Sequence, residues 1–327
     1  MNNQTQIKAA AIPKRRGCLR WLGGAVALGL GLILAGTIYE SVSETADIRA
    51  YPPLGQMVDV GGYRLHINCT GTGSPAVVID AGLGDWSLGW SSVQGEVAKT
   101  TQVCTYDRAG VGYSETGPLP RNAKQFATEL HTLLKQANIP EPYLMVGHSL
   151  GGLPVRVFVH AYPMEVTGVV LIESMSPGQM TQPPTTVKPQ TPSQSRGVSL
   201  PFLFGRIGLA RLLARQIVDQ NQPPGVQSAY TAFSVTSRAV QAWADEGAGL
   251  SESLAQADAV KTFGDLPLIV LTSALNQQTG WQTMQGELLR LSSNSRQIIA
   301  DKSGHNIETD QPEAAVAAIL KMVGQLR

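Results

Sequence analysis

Apolar positions fall into three regimes along the chain. The first is an uncharged run of 19 residues, Trp21 to Tyr39, rich in Leu, Ala, Gly and Val. As a helix rising 1.5 Å per residue it would span about 28 Å, close to the roughly 30 Å hydrocarbon thickness of a bilayer, which predicts a transmembrane segment over 21–39. The second regime begins near residue 57. Short strand-like runs (Tyr63–Asn68, Gln102–Tyr106, Tyr143–Val146, Val169–Ile172, Leu268–Ser273, Arg296–Ala300) alternate with helical patterns, one face of which is Phe126, Leu130, Leu133, Leu134 and Ala137. Such alternation predicts an α/β fold with a mostly parallel sheet flanked by helices. The third regime interrupts it. Ser176 to Ser199 is rich in Pro, Gln, Thr and Ser, and helical patterns follow around 207–218, 228–244 and 251–262. The expected organisation is a basic segment at 1–20, the spanning helix, a linker at 40–56 marked by Pro52, Pro53 and Gly55, a core at 57–174 and 266–327, and a helical insertion at 175–265.

Charge orients this plan. Lys8, Lys14, Arg15, Arg16 and Arg20 precede the apolar run, whereas Glu40, Glu44 and Asp47 follow it against a single Arg49. By the positive-inside rule the basic segment is cytoplasmic and the remainder extracytoplasmic, with Trp21–Tyr39 as a signal anchor. The alternative is secretion after signal cleavage. The run exceeds the usual h-region and no small-x-small site follows it directly. Leu34-Ala35-Gly36 precedes Thr37 where a lipoprotein site needs cysteine. With 43% hydrophobic and 15% charged residues the chain has material for a sizeable core, and a net charge of +1 without a basic aromatic stripe argues against nucleic acid as a partner.

Candidate chemistry centres on Gly147-His148-Ser149-Leu150-Gly151, between an apolar strand and a helix-like stretch. A serine at a sharp strand-to-helix turn must adopt a strained backbone, and glycines two residues to either side remove side chains that would clash. The hydroxyl then stands above the sheet edge, and the Leu150 amide points where an oxyanion would form. Downstream, His305 follows the strand-like Arg296–Ala300 and precedes a helix opening at Pro312, the place from which a general base would hang. His66, His131, His148 and His160 read instead as structural or surface residues. Val169–Ile172 runs directly into Glu173, which puts a carboxylate at the same edge; Asp301 and Asp310, near His305 in sequence, are the alternatives.

Together these segments resemble the α/β-hydrolase-fold serine hydrolases of the esterase and lipase branch, over roughly residues 57–326. Two more stretches carry the resemblance: Ile79-Asp80-Ala81-Gly82-Leu83-Gly84, with Gly82 at the family's oxyanion-loop glycine, and Tyr106 to Ser114, similar to the Asp-Arg-x-Gly-x-Gly-x-Ser segment through Asp107 and Arg108. The resemblance implies an eight-stranded sheet, the backbone amides of Leu83 and Leu150 as oxyanion donors, and a helical lid inserted after strand six. Phe202, Leu203, Phe204, Leu209, Leu212, Leu213, Phe233 and Trp243 are the lid residues expected to pack the lid, with a minority lining an acyl pocket. Two departures stand out. Ala81 replaces a common histidine, and the family's usual acid position after the next-to-last strand is empty, since 274–286 contains no Asp or Glu. Glu173 is then the implied acid, and the order Ser149, Glu173, His305 agrees with the family.

The implied sheet order sets the second and fourth strands side by side, so Cys69 and Cys104 would either form a disulfide or remain two buried thiols. The expected function is a membrane-anchored, extracytoplasmic serine hydrolase cleaving carboxylic esters of short or medium acyl chains through an acyl-enzyme. It needs no metal or organic cofactor, and its partners are a small acyl substrate and the membrane. A peptidase, amidase or acyltransferase would use the same triad, and a non-catalytic envelope binding protein would keep the fold without the chemistry.

Overall fold

The structure is a computed structural model describing residues 16–178, 199–223 and 225–327, with backbone alone for 16–20. The expected basic positions Lys8, Lys14 and Arg15, and the polar stretch 179–198, lie outside the described residues.

Eight strands form one sheet: β1 (Gln56–Asp59), β2 (Arg64–Thr70), β3 (Ala76–Asp80), β4 (Val103–Tyr106), β5 (Tyr143–His148), β6 (Val166–Ile172), β7 (Leu268–Ser273) and β8 (Ser295–Ala300). Their order is β1-β2-β4-β3-β5-β6-β7-β8; β1 with β2 and β2 with β4 run antiparallel, and the other pairs are parallel. A parallel sheet covered on both faces needs apolar residues on both, which is why β5, β6 and β7 read as unbroken apolar runs. Val78, Met145, Val169 and Val270 pack on one face, and Val77, Val146, Val170 and Leu271 on the other. Helices Ala123–Gln136 and Gly152–Ala161 cover the first face; Ser91–Val97 and Pro312–Leu326 cover the second. Asn122 starts the first of these by accepting from the Gln125 amide.

The register aligns Cys69 of β2 directly with Cys104 of β4, and a disulfide joins them. Between β6 and β7 the chain leaves the sheet; among the described residues there are six helices within Leu200–Ala259, and residues of Leu200–Arg206, Gln227–Ser234 and Ser237–Ala248 line a cavity with the segments that follow β3, β5 and β6.

The amino-terminal helix corrects the expected boundaries. It runs from Arg16 to Ala50, so residues 40–50 are helical where a linker was expected. Nothing between Tyr39 and Ala50 breaks a helix, and Pro52 and Pro53 are the first residues that do. Its span from Trp21 to Ala50 is long and apolar enough to cross a membrane, and the apolar part is uncovered by the rest of the protein. The last turns differ. Glu40 is fully buried and, with Asp47, accepts from the Arg211 guanidinium of the insertion at 2.8–3.0 Å. Gly36 packs on the Ile207 carbonyl so closely that a side chain there would strike it.

Candidate active site

The turn after β5 brings Ser149 to the carboxyl edge of the sheet. Ser149 holds φ at 50°, a left-handed conformation rare for a residue with a side chain, and a single 3₁₀ turn leads into helix Gly152–Ala161. The flanking glycines are required by space. A Cβ on Gly147 would lie 2.7 Å from the Gly152 Cα, and one on Gly151 would lie 2.2 Å from the Asp80 carbonyl oxygen.

His305, on the loop after β8, sets its Nε2 2.8 Å from the Ser149 Oγ. Its Nδ1 faces Oε2 of Glu173 at 3.3 Å. This arrangement keeps the ring proton on Nδ1 and offers Nε2 to the hydroxyl. Glu173 is fully buried at the end of β6, itself with φ at 44°. The stretch after β7, the family's usual acid position, carries no carboxylate from 274 to 286. The end of β7 supplies donors instead: the Ser273 amide to Glu173 Oε1 at 2.7 Å, and Asn276 Nδ2 to Oε2 at 2.8 Å. The rival carboxylates are occupied elsewhere, Asp310 by the Gly304 amide and Asp301 by the Gln311 side chain.

Above Ser149 passes the segment after β3. A Cβ on Gly82 would stand 3.4 Å from the Ser149 Cβ, so the Gly82–Leu83 backbone crosses directly over the elbow, and Leu150 is buried beneath at the start of its turn. Asp107 and Arg108 hold this arrangement from below. Asp107 accepts from the Ser87 and Tyr113 amides and faces His66 Nδ1 at 2.9 Å. Arg108 donates to Asp80 Oδ1 and the Ala81 carbonyl, each at 2.7 Å, and to the Gly82 carbonyl at 2.5 Å. It also pairs with Glu246 of insertion helix Ser237–Ala248 at 2.7 Å, and Glu246 in turn accepts from the Gly84 amide at 3.1 Å. One buried arginine thus ties the oxyanion-loop segment to the insertion.

Glu246 and Asn276 are absent from the expected site, and His148 was expected to be structural or surface; it is structural. His148 is neither exposed nor remote: it is buried beside Ser149, and its Nε2 donates to the His305 carbonyl at 3.0 Å. Burial, reinforced by the neighbouring His305 and Arg108, pushes its pKa down to about 3, so it is neutral at physiological pH. Its signal was its place inside the elbow. His131 pairs with Glu165 and stacks on Tyr162, away from the site.

A cavity of about 1000 Å³ opens over Ser149 and His305. Leu200, Pro201, Phe204, Ile217, Val240 and Trp243 of the insertion give it an apolar wall. Of the eight insertion residues singled out from sequence, Phe204 and Trp243 reach it; Phe233 is buried against Trp86 and Tyr113, and Phe202, Leu203, Leu209, Leu212 and Leu213 are exposed. Asp85, Asp219 and Glu308 also line the cavity. The ligand atoms of Asp85, His148 and Glu308 lie within 4.8 Å of one another.

Comparison with known proteins agrees with this geometry. A family profile described as alpha/beta hydrolase fold matches residues 75–310. The uncharacterized protein YqjL of Bacillus subtilis (strain 168) is 26% identical over 257 residues, 76% of this chain and 83% of that protein. A protein of Hormonema carpetanum named probable transporter efuK is 32% identical over 126 residues, 36% of this chain, and the match spans 18% of its own length. Among solved structures, a thermophilic esterase from Thermogutta terrifontis superposes with a TM-score of 0.61 at 18% identity, covering 83% of this chain and 98% of that one. At that identity the likeness shows the fold alone.

Proposed function

The chain belongs to the alpha/beta hydrolase fold family, and on that premise we propose that it is a serine hydrolase cleaving carboxylic esters through a Ser149–Glu173–His305 triad. The observation that carries this reading is the 2.8 Å approach of Ser149 Oγ to His305 Nε2, with the far side of the imidazole on a buried carboxylate. A free serine hydroxyl is too weakly acidic to attack an ester at neutral pH. His305 takes its proton as Oγ bonds to the acyl carbon, and Glu173 stabilises the resulting imidazolium. The amides of Leu83 and Leu150 receive the oxyanion, where loss of one donor typically costs about 3–4 kcal/mol of barrier. His305 then gives the proton to the leaving alcohol; in the second half it takes a proton from water as the water oxygen bonds to the acyl carbon, and returns it to Ser149 Oγ as the acyl–Oγ bond breaks and the acid leaves.

The reading includes a place. The helix from Trp21 anchors the chain in a bilayer, with the amino terminus cytoplasmic and the sheet outside, as the charge asymmetry across the apolar run supports. A disulfide between β2 and β4 suits an oxidising compartment. A fluorophosphonate probe tests the chemistry: Ser149 is labelled in the folded protein and Ser149→Ala abolishes labelling. An unlabelled folded protein would leave a binding protein in its place. Protease protection in sealed vesicles tests the orientation.

A further inference from the structure

Exposed apolar side chains gather on one stretch of the insertion. Leu200, Leu203, Leu209, Leu212, Leu213 and Ile217, on or between the short helices Leu200–Arg206, Leu209–Leu212 and Ala214–Ile217, all stand in the open, Leu200 at 82% and Leu212 at 67%. Apolar side chains grouped in this way mark a surface that meets something other than water. We propose that this face beds into the lipid leaflet at the Tyr39 end of the amino-terminal helix, so that the cavity takes its ester from the bilayer. The inference rests on the membrane-anchored ester-hydrolase reading. It adds the surface that meets the lipid and the substrate class, an amphiphilic ester held in the leaflet.

Position carries the argument. The uncharged run ends at Tyr39 and Glu40 is the first charge after it, so the edge of the hydrocarbon falls there. The insertion meets the helix on both sides of that edge. The Ile207 carbonyl rests on Gly36, three residues inside the run, about 4–5 Å along the axis at the helical rise per residue. Gly208 packs against the Tyr39 ring, and Arg211 reaches Glu40 and Asp47 beyond it. Residues 207–211 therefore straddle the boundary, and the exposed Leu209 and Leu212 lie on the helix that carries Arg211. An amphipathic segment at a membrane surface sinks about 5–10 Å into the boundary between headgroups and acyl chains, and the Gly36 contact sets a depth of that order.

Charge agrees with position. Residues 199–218 contain Arg206, Arg211 and Arg215 and no Asp or Glu. Arg211 is paired with Glu40 and Asp47, whereas Arg206 and Arg215 have no ion pair among the described residues. Guanidinium groups among exposed leucines suit phosphate headgroups above an acyl layer. A second copy of the chain, or another protein, would have to cover this face at a depth that lipid already occupies.

The mouth of the cavity belongs to the same stretch. Leu200 and Ile217 are at once exposed and part of the cavity lining over Ser149, and Trp243 joins them at 56% exposure. Leu200 precedes Ile207 by seven residues, about 10 Å along a helix, so the rim opens close to the leaflet. An acyl chain drawn from the lipid then reaches the apolar wall of Phe204 and Val240 without exposing its length to water.

Fluorescence quenching on the full-length protein tests the surface, in vesicles of phosphatidylcholine and phosphatidylglycerol with and without spin-labelled phosphatidylcholine. A Cys18→Ser background removes the one thiol outside the disulfide. An NBD label is then placed at Leu212→Cys, at Leu30→Cys within the apolar run, and at Met164→Cys, exposed just ahead of β6 at the edge of the sheet away from Ser149. The spin label should quench positions 30 and 212 and spare 164. Quenching at 30 alone, or disulfide cross-linking of two Leu212→Cys copies in place of quenching, overturns the docking; quenching at neither removes the anchor reading with it. Turnover tests the lipid route. Leu209→Ser combined with Leu212→Ser should lower kcat/KM toward 4-methylumbelliferyl palmitate dissolved in the same vesicles at least about tenfold, roughly the worth of one leucine taken out of lipid. The same variant, with circular dichroism matching the parent, should leave p-nitrophenyl butyrate in solution unaffected. Equal loss on both esters, or loss on neither, overturns the route from the bilayer. A protein quenched at 212 that turns over neither ester and ignores fluorophosphonate would keep the docking surface and remove the hydrolase reading instead.

Discussion

Two groups of acids lie about the oxyanion-loop segment, Asp80 and Glu246 both buried, Asp85 and Asp219 part-buried beside a buried Glu308, and they are built on opposite rules. Asp80 and Glu246 share one arginine, Arg108, which spends its guanidinium on both carboxylates and on two loop carbonyls. Asp85, Asp219 and Glu308 share none. The first group is closed: its charges are paired within the protein, and it fixes the loop to the insertion. The second is open, in that Glu308 is buried without a cation among the described residues. Burial of charge therefore marks structure where a counter-ion is built in. Glu173 stands between them, hydrogen-bonded by the Ser273 amide and Asn276 yet turned toward His305.

Glu173 gives the sharpest test, because its partners are neutral and its role is toward one imidazole. Glu173→Gln should lower kcat by about 10⁴, with the wrong tautomer favoured on His305, while the fold persists. Steady-state kinetics with thermal unfolding checks both; near-parental turnover would move the acid elsewhere. Next in size is the closed group. Arg108→Met strands two buried carboxylates and should cost about 3–5 kcal/mol in urea unfolding. An unchanged midpoint would dissolve the distinction between the groups.

The open group should answer with the other sign. The folded Glu308 carboxyl holds its proton more tightly than the unfolded one, so raising pH through the ordinary carboxylate range withdraws stability from the parent. Gln has no proton to lose. Glu308→Gln should therefore be more stable than the parent at pH 8, with the difference vanishing below about pH 4. The neighbouring Asp85, whose pKa burial pushes up to about 6, and Asp219, Asp310 and His148 remain in both proteins; Asp85 and Glu308 repel each other, so the difference reports that pair. A variant less stable than the parent at pH 8 would mean that Glu308 has a cation after all.

What was legible in sequence was whatever a short segment carries by itself. The elbow, the His305 loop and the strands announce themselves locally, since glycine spacing and apolar runs answer to neighbours a few residues away. Glu173 emerged by elimination, and Asn276, which holds it, looks like any loop amide. Glu246 lies 138 residues from Arg108 on an amphipathic helix whose charges read as a solvated face. Glu308 sits in the first turn of a short helix, where acids are ordinary. These residues acquire meaning only from what the fold sets opposite them.

The clasp of Arg211 on Glu40 and Asp47 bears on how the protein is handled. Deleting the leading fifty residues to obtain a detergent-free fragment removes both acceptors from that guanidinium and uncovers the backbone around Ile207 and Gly208. The same insertion walls the cavity, so such a truncation reshapes the entrance through which substrate must pass. Kinetic constants from the shortened polypeptide would describe a loosened roof, and retaining the segment from Gly36 onward keeps the roof tethered.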